Sequence, residues 1–270
     1  MENYLWLVPA FPLAGALILI LLSDKLSKTL SGIIGAGSVG LSAMVSIIFG
    51  FSFLRDSGQV IDQHLWTWFS INGFAPGIAF HLDALSMVFI FVITFVGFLI
   101  HLYSIEFMHD DDGFTRFFAF LNLFVCSMLI LVLADNLVLI YLGWEGVGLC
   151  SYLLIGFWYK EEKNGYAARK AFIITRVGDT AMAIGLFMLF QTFGTLAIQE
   201  ILDQAPQALP LGSDTGTLIA FLLLGGAVGK SAQLPLQTWL PDAMAGPSPV
   251  SALIHAATMV TAGVYLITRT

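Results

Sequence analysis

Charge is scarce in this chain. Only 11% of its 270 residues are Asp, Glu, Lys or Arg, while 58% are hydrophobic and the mean hydropathy is +0.87. That composition excludes an ordinary soluble domain and fits a polytopic membrane protein. Cysteine is nearly absent too. Cys126 and Cys150 stand in apolar runs without metal-ligand spacing, so they read as small buried hydrophobes rather than metal ligands. The first 22 residues lack a basic n-region and a small-residue cleavage site, and they read as a first span rather than a removable signal. No alternation of apolar and polar residues persists for the ten or so positions of a membrane strand, which argues against a barrel. The net charge of −7 sits mostly in loops and speaks against nucleic acid as a partner. Gly-Ala-Val-Gly-Lys230-Ser has the look of a phosphate loop, but it lacks both the preceding strand and the required spacing.

Long apolar runs are what the chain does have. Eight segments approach the length that a bilayer requires: 4–22, 30–53, 83–105, 115–134, 136–159, 168–193, 216–243 and 249–268. The expected fold is therefore all-α, a polytopic transmembrane helix bundle of about eight spans, one of them broken by proline. The loop 54–82 is amphipathic, with Trp66, Trp68 and Phe69, and is expected at a membrane–water interface. Loop 194–216 carries Pro206 and Pro210 and no Lys or Arg. Basic residues set the orientation. Lys25, Lys28, Arg116, Lys160, Lys163, Arg169 and Lys170 follow spans 1, 3 and 5, whereas only Arg55 follows spans 2, 4 and 6. The odd loops are thus expected on the cytoplasmic side and the N-terminus on the other. Arg269, after the last span, is a minor exception.

The seventh segment is unusual. Pro235, Pro241, Pro247 and Pro249 follow Lys230 in a stretch where lipid offers no substitute for lost backbone hydrogen bonds. Broken helices at membrane depth survive where protein or a wet cavity covers them, and in transporters they mark ion and substrate sites. The expectation is two half-helices interrupted near Ala232–Pro235, with Lys230 ending the first and pointing into the bundle.

Few other charges lie inside the spans. Glu145 is mid-span between glycines that permit close helix approach. It is either a protonated group bonded to a neighbouring helix or a proton-binding carboxylate, and the cost of burying it favours the second reading. It is expected on a helix neighbouring that of Lys230. Arg176 and Asp179 are three residues apart on one helix face, as a structural ion pair or as direct participants in transport. His255 follows the break and reads either as a hydrogen-bonded core residue or as a proton relay; its closeness in sequence to Lys230 favours the relay. Asp83 and Asp135 begin spans and read as helix caps, and Asp110, Asp111 and Asp112 as a solvated turn. Haem is disfavoured, since no two mid-span histidines face each other on evident neighbours.

These residues carry a resemblance. Trp144-Glu145-Gly-Val-Gly148, Arg176-Val-Gly-Asp179, Gly229-Lys-Ser-Ala-Gln-Leu-Pro-Leu-Gln-Thr-Trp-Leu-Pro-Asp242, Ser248-Pro-Val-Ser-Ala-Leu-Ile-His255 and His81-Leu-Asp-Ala-Leu-Ser-Met87 resemble the antiporter-like subunits of respiratory complex I, the proton-translocating NADH:quinone oxidoreductase. The branch they favour is subunit L, with the large subunit of multisubunit cation/proton antiporters as its near relative. The resemblance covers essentially the whole chain. It implies that Glu145 and Lys230 are the essential membrane carboxylate and lysine, that Arg176 and Asp179 form a coupling ion pair at the contact with a neighbouring subunit, and that His255 lies on the proton route. It implies no cofactor and no metal in this chain, with NADH, FMN, iron–sulfur clusters and quinone bound by other subunits. The implied partners are the other membrane subunits, especially the neighbouring antiporter-like one, together with lipid and protons; the implied location is the bacterial inner membrane. Residues 1–114 would be a three-span N-terminal region and 115–270 a first five-helix repeat. The family's second repeat and lateral helix do not appear, so half of a translocation path is expected here.

Overall fold

A computed structural model describes residues 2–55, 58–71 and 73–270. The chain runs α1 (Leu7–Leu21), α2 (Lys28–Arg55), a hairpin of β1 (Ile61–Thr67) and β2 (Gly77–Leu82), then α3 (Ala84–Phe107), α4 (Phe114–Leu133) and α5 (Leu137–Ile155). It continues through α6 (Glu162–Phe193), α7 (Ile198–Ala208), α8 (Asp214–Lys230), short 3-10 turns at Gln237–Trp239 and Asp242–Ala245, α9 (Ser248–Ser251), a wide π turn at Ala252–Ala257, and α10 (Met259–Arg269). Among the described residues, six helical stretches are long and apolar enough to cross a membrane; α1 is shorter. The helical-bundle expectation holds, with a small two-stranded sheet added.

Aliphatic and aromatic residues on every face make α4 the central post. In its apolar stretch 78% of residues are buried, against 33% in α3, so α4 is interior and α3 faces outward. Phe117, Leu121, Phe124, Val125, Met128 and Val132 form the core, against which α1, α2, α3 and α5 pack. Glycine allows a close crossing between α6 and α8. A Cβ on Gly178 would lie 2.8 Å from the Gly225 carbonyl oxygen and 3.0 Å from the Gly229 Cα. Small residues let helix backbones touch in a membrane, where dispersion rather than hydrophobicity holds helices together. This contact brings the end of α8 onto the middle of α6.

Several local features differ from the sequence expectations. The loop 54–82 forms an antiparallel hairpin, with Ile61 opposite Leu82 and Asp62 opposite His81. Gln63 tethers it by accepting from the Trp6 amide at 2.9 Å. Trp66 and Trp68 remain exposed. The loop 194–216 contains α7, an amphipathic helix that buries Ile198 and Ile201 and turns Glu200 and Asp203 outward. Asp83 caps α3, accepting from the Ser86 amide at 2.9 Å, as expected. Asp135, however, does not cap α5. Asn136 does, accepting from the Leu139 amide at 2.9 Å, while Asp135 accepts from the Asn136 side chain at 2.5 Å.

The broken span also departs in detail. The helix ends at Lys230, and Ala232 takes a positive φ of 50°. No second half-helix follows; the chain makes the two 3-10 turns instead. Prolines at 235, 241, 247 and 249 remove too many donors for a helical ladder to form. The eighth span is not one uniform helix either. It widens into the π turn, and the Thr258 hydroxyl donates to the Leu253 carbonyl at 2.7 Å, satisfying an acceptor that the turn displaces.

Candidate functional site: two ion pairs at a helix break

Four charged side chains meet between α5, α6 and α8. Lys230, on the last residue of α8, is fully enclosed, and its Nζ lies 3.5 Å from Asp179 Oδ2. The other Asp179 oxygen accepts the Trp144 indole N–H at 2.6 Å. Trp144 also presents its ring to the ammonium, 5.8 Å from Nζ to the ring centroid. The lysine reaches α5 at Gly148, where a Cβ would come within 2.7 Å of Nζ. Glycine there is what admits the ammonium. One step away, Glu145 pairs with Arg176, whose guanidinium stacks 4.8 Å from the centre of Phe172.

The pairing corrects a sequence expectation. Arg176 and Asp179 share a helix face, yet their ion-pair partners are Glu145 and Lys230 respectively, not each other. The close α6–α8 crossing delivers Lys230 to Asp179, and α5 delivers Glu145 to Arg176. α6 packs on both α5 and α8, and the long lysine stem reaches α5 at Gly148, one turn from Glu145. With all four groups ionised the cluster is neutral, so gaining or losing one proton leaves one uncompensated unit charge in a medium that penalises it. Such an arrangement can hand a proton on only when its geometry changes.

His255 lies within the π turn, and neither ring nitrogen has a hydrogen-bond partner. Its ring centre is 6.1 Å from that of the buried Trp239, whose indole donates to the Gly229 carbonyl at 3.1 Å. Trp239 thus stands between His255 and the end of α8. The sequence reading missed Trp144 and Trp239 as site residues, and it counted Lys170 as a loop charge. Lys170 in fact pairs with Asp242 at 2.5 Å, fastening the broken segment to α6. The tryptophans sit beside charged or broken positions in sequence, a signal visible only once burial is known.

A second cluster lies at the end of α3. Arg269 donates to both Asp83 oxygens, at 2.6 and 3.0 Å, and to Ser86 at 2.7 Å. His81 stands between Asp62 at 2.7 Å and Asp83 at 3.7 Å. Hydrogen bonding to Asp83 and Asp62 outweighs burial and raises the His81 pKa. Burial opposes ionisation of Asp83, but bonds from His81 and Arg269 win and hold that carboxyl far below its ordinary value. Among the described residues no group of three His, Cys, Asp or Glu side chains could hold a metal, and both cysteines are free and buried.

Comparison with known proteins places this geometry. The complex I chain 5 N-terminal family matches residues 68–118. NADH-quinone oxidoreductase subunit L of Escherichia coli is 55% identical over 268 residues, covering 99% of this chain and 44% of the relative. The Pseudomonas aeruginosa subunit L is 58% identical over 269 residues, with the same two coverages. The chain therefore spans less than half the length of these curated relatives, matching their N-terminal portion. Among solved structures, the Mrp complex from Dietzia sp. aligns with a TM-score of 0.80 at 29% identity, over 97% of this chain and 27% of that one. An archaeal membrane-bound sulfane sulfur reductase aligns with a TM-score of 0.77 at 22% identity, over 100% and 40%, a likeness of fold. Residues 134–270, which hold the whole four-charge cluster and His255, match the family described as NADH:quinone oxidoreductase/Mrp antiporter, TM, and the chain belongs to that family.

Proposed function

We propose that the chain serves as a proton-translocating membrane subunit of an NADH:quinone oxidoreductase, with Glu145, Arg176, Asp179, Lys230 and His255 carrying the proton and the coupling. One observation bears most of the weight: a fully enclosed lysine ends a half-helix opposite a carboxylate, inside an apolar bundle. A buried ionisable pair is costly and is retained where ions move. When Asp179 and Arg176 shift relative to their partners, Lys230 is alternately held and released, and its proton passes along the break towards His255. Residues 115–270 act as one five-helix repeat behind the three-span region 1–114. Arg176 leaves 41% of its side chain uncovered on the outer face of α6, a charge that lipid would not tolerate. A neighbouring membrane subunit covering that face accounts for it. NADH, flavin, iron–sulfur clusters and quinone belong to other subunits of the bacterial inner-membrane complex, and the N-terminus faces away from the cytoplasm.

The test is proton yield per NADH oxidised, measured with a pH-sensitive dye in inverted vesicles carrying the full-length subunit in its complex. Glu145→Gln and Lys230→Ala should lower the yield while the complex still assembles. Normal yield in both variants overturns the reading. The likeness to the Dietzia Mrp complex supports a second reading, cation/proton exchange without electron transfer. Proton flux driven by a sodium gradient, and indifferent to NADH, would favour it.

A further inference from the structure

The Trp144 indole has no part in the reading above, yet it touches both members of the buried pair. Its N–H is spent on Asp179 Oδ1 at 2.6 Å, and its ring lies 5.8 Å from the Lys230 ammonium. The ring itself is fully buried in the hydrophobic core, which restrains its orientation. Asp179 and Lys230 meanwhile sit 3.5 Å apart, and Nζ makes no hydrogen bond at all. Two opposite charges enclosed in an apolar bundle would normally close to a charge-assisted hydrogen bond of about 2.8 Å. Something restrains the carboxylate, and the indole is the one group bonded to it from the other side.

Building on the proton-translocation reading, we infer that Trp144 is a positioning residue that anchors Asp179 and holds it off Lys230, keeping the pair close enough to attract but too far to lock. The indole N–H does not titrate, so it restrains the carboxylate without entering the proton path. The ring face adds a second constraint, because an ammonium above an aromatic plane is attracted without being captured. Lys230 is thereby left with its proton uncommitted. Gly148 contributes the space: a side chain there would push Nζ towards Asp179 or away from it.

Removing the N–H should therefore let Asp179 rotate onto Lys230. Closing from 3.5 Å to about 2.8 Å strengthens the Coulomb attraction by about a quarter, worth roughly one pH unit at an effective dielectric near 20. Two variants separate the N–H from the ring. Trp144→Phe keeps an aromatic face. Replacement of Trp144 by benzothienylalanine, through an expanded code, keeps the entire bicyclic shape and exchanges only N–H for sulfur. Both are made in the full-length subunit within the assembled complex and compared by proton pumping across a range of pH.

The benzothienyl variant should assemble normally, pump more slowly near neutral pH, and show a pumping profile displaced by about one unit. Isotope-edited infrared spectra should show the Asp179 carboxylate bands moving, as expected when its hydrogen-bond donor changes from indole to ammonium. A residue that merely filled space would leave both readouts unmoved in the isosteric variant. An unshifted profile with unshifted carboxylate bands overturns the inference. Lys230→Ala run alongside keeps the two ideas apart: if it abolishes pumping while the isostere behaves as wild type, only the role of Trp144 falls. If Lys230→Ala pumps normally, the translocation reading falls with it.

Discussion

The exchange of partners within the four-charge cluster predicts a particular pattern of non-additivity. The perturbation is Asp179→Asn, Lys230→Met and the two combined. At 3.5 Å and an effective dielectric of about 20, the opposite charges attract by about 5 kcal/mol. Most of that attraction offsets the desolvation of two groups sealed from water, so the pair adds little net stability. Breaking it is a different matter. Either single substitution strands one charge in the core and should destabilise by about 3–5 kcal/mol. The double variant strands none and keeps the side-chain volumes similar, so it should lose less than the worse single, with a coupling energy of about 1–3 kcal/mol. Arg176→Gln combined with Asp179→Asn should couple far more weakly, since these two have separate partners. The Glu145–Arg176 pair is partly uncovered and should fall between the two cases. Thermal unfolding of the full-length subunit in a mild detergent, alongside recovery of assembled complex, supplies the measurements. Additive losses at Asp179 and Lys230, or the largest coupling at Arg176 and Asp179, would refute the pairing and restore the single-helix pair that spacing alone suggests.

The α6–α8 crossing offers a steric counterpart. Gly178→Ala places a methyl 2.8 Å from the Gly225 carbonyl oxygen, so the helices must part; a loss of about 1–3 kcal/mol in thermal stability and a fall in pumping are expected, because Lys230 is carried away from Asp179. Gly165→Ala, on the same helix with open space around it, should leave pumping unchanged and hold or slightly raise stability, since alanine is the better helix former; equal damage from both would show that the contact at Gly178 is not the cause. The hairpin should respond to pH. His81 gains proton affinity on folding, so its contribution is complete below its unfolded value near pH 6.5 and fades as pH rises through the higher folded value. Asp83 works in the opposite sense, stabilising above the ordinary carboxylate range and losing its effect only in strong acid. Amide hydrogen exchange in β1 and β2, corrected for intrinsic rates, should accordingly show more protection at about pH 6 than at about pH 9, and His81→Gln should erase the difference; equal protection in the wild type at both values would exclude the tie.

Much of the bundle was legible because lipid permits few alternatives. A backbone that must satisfy itself within each segment yields apolar runs of spanning length, and those runs locate α1 to α5 to within a few residues, the end of α6, the start of α8 and the end of α10. Lys230 at a break was legible for the same reason, since proline after a charged residue has few uses at membrane depth. What composition could not give is partner choice. Spacing of three residues places Arg176 and Asp179 on one face, but the winning contacts come from neighbouring helices, and those depend on how closely Gly178 lets α8 approach. The hairpin escaped notice for a related reason. Its strands are short, its partners lie at the ends of other elements, and the ties at Gln63, His81 and Asp83 join residues distant in sequence or divided between element ends. Asn136 displaced Asp135 as a cap by one residue, a margin that pattern reading does not resolve.

The two interruptions behave as one device when their polar groups are followed. Breaking α8 and widening the turn before α10 frees backbone groups that a membrane core cannot leave unpaired. The protein recovers several of them. Trp239 donates to the Gly229 carbonyl, the Gln233 amide to the Val228 carbonyl at 3.0 Å, Ser231 to the Val260 carbonyl at 2.7 Å, and Thr258 to the Leu253 carbonyl. Gly263 helps, because any side chain there would collide with Ser231 Oγ, and its absence lets α10 abut the end of α8. Among the described residues, eight buried side-chain atoms remain without a hydrogen-bond partner, and five of them belong to Glu145, Lys230 and His255. Glu145 faces Arg176 across an ion pair without a well-aligned bond, and Lys230 faces Asp179 in the same way. Backbone groups freed by the breaks are recaptured, while Glu145, Lys230 and His255 keep buried polar atoms without a hydrogen-bond partner. The proposed proton path accounts for that distribution, since unsatisfied buried polar groups in a native structure are rare and call for a reason.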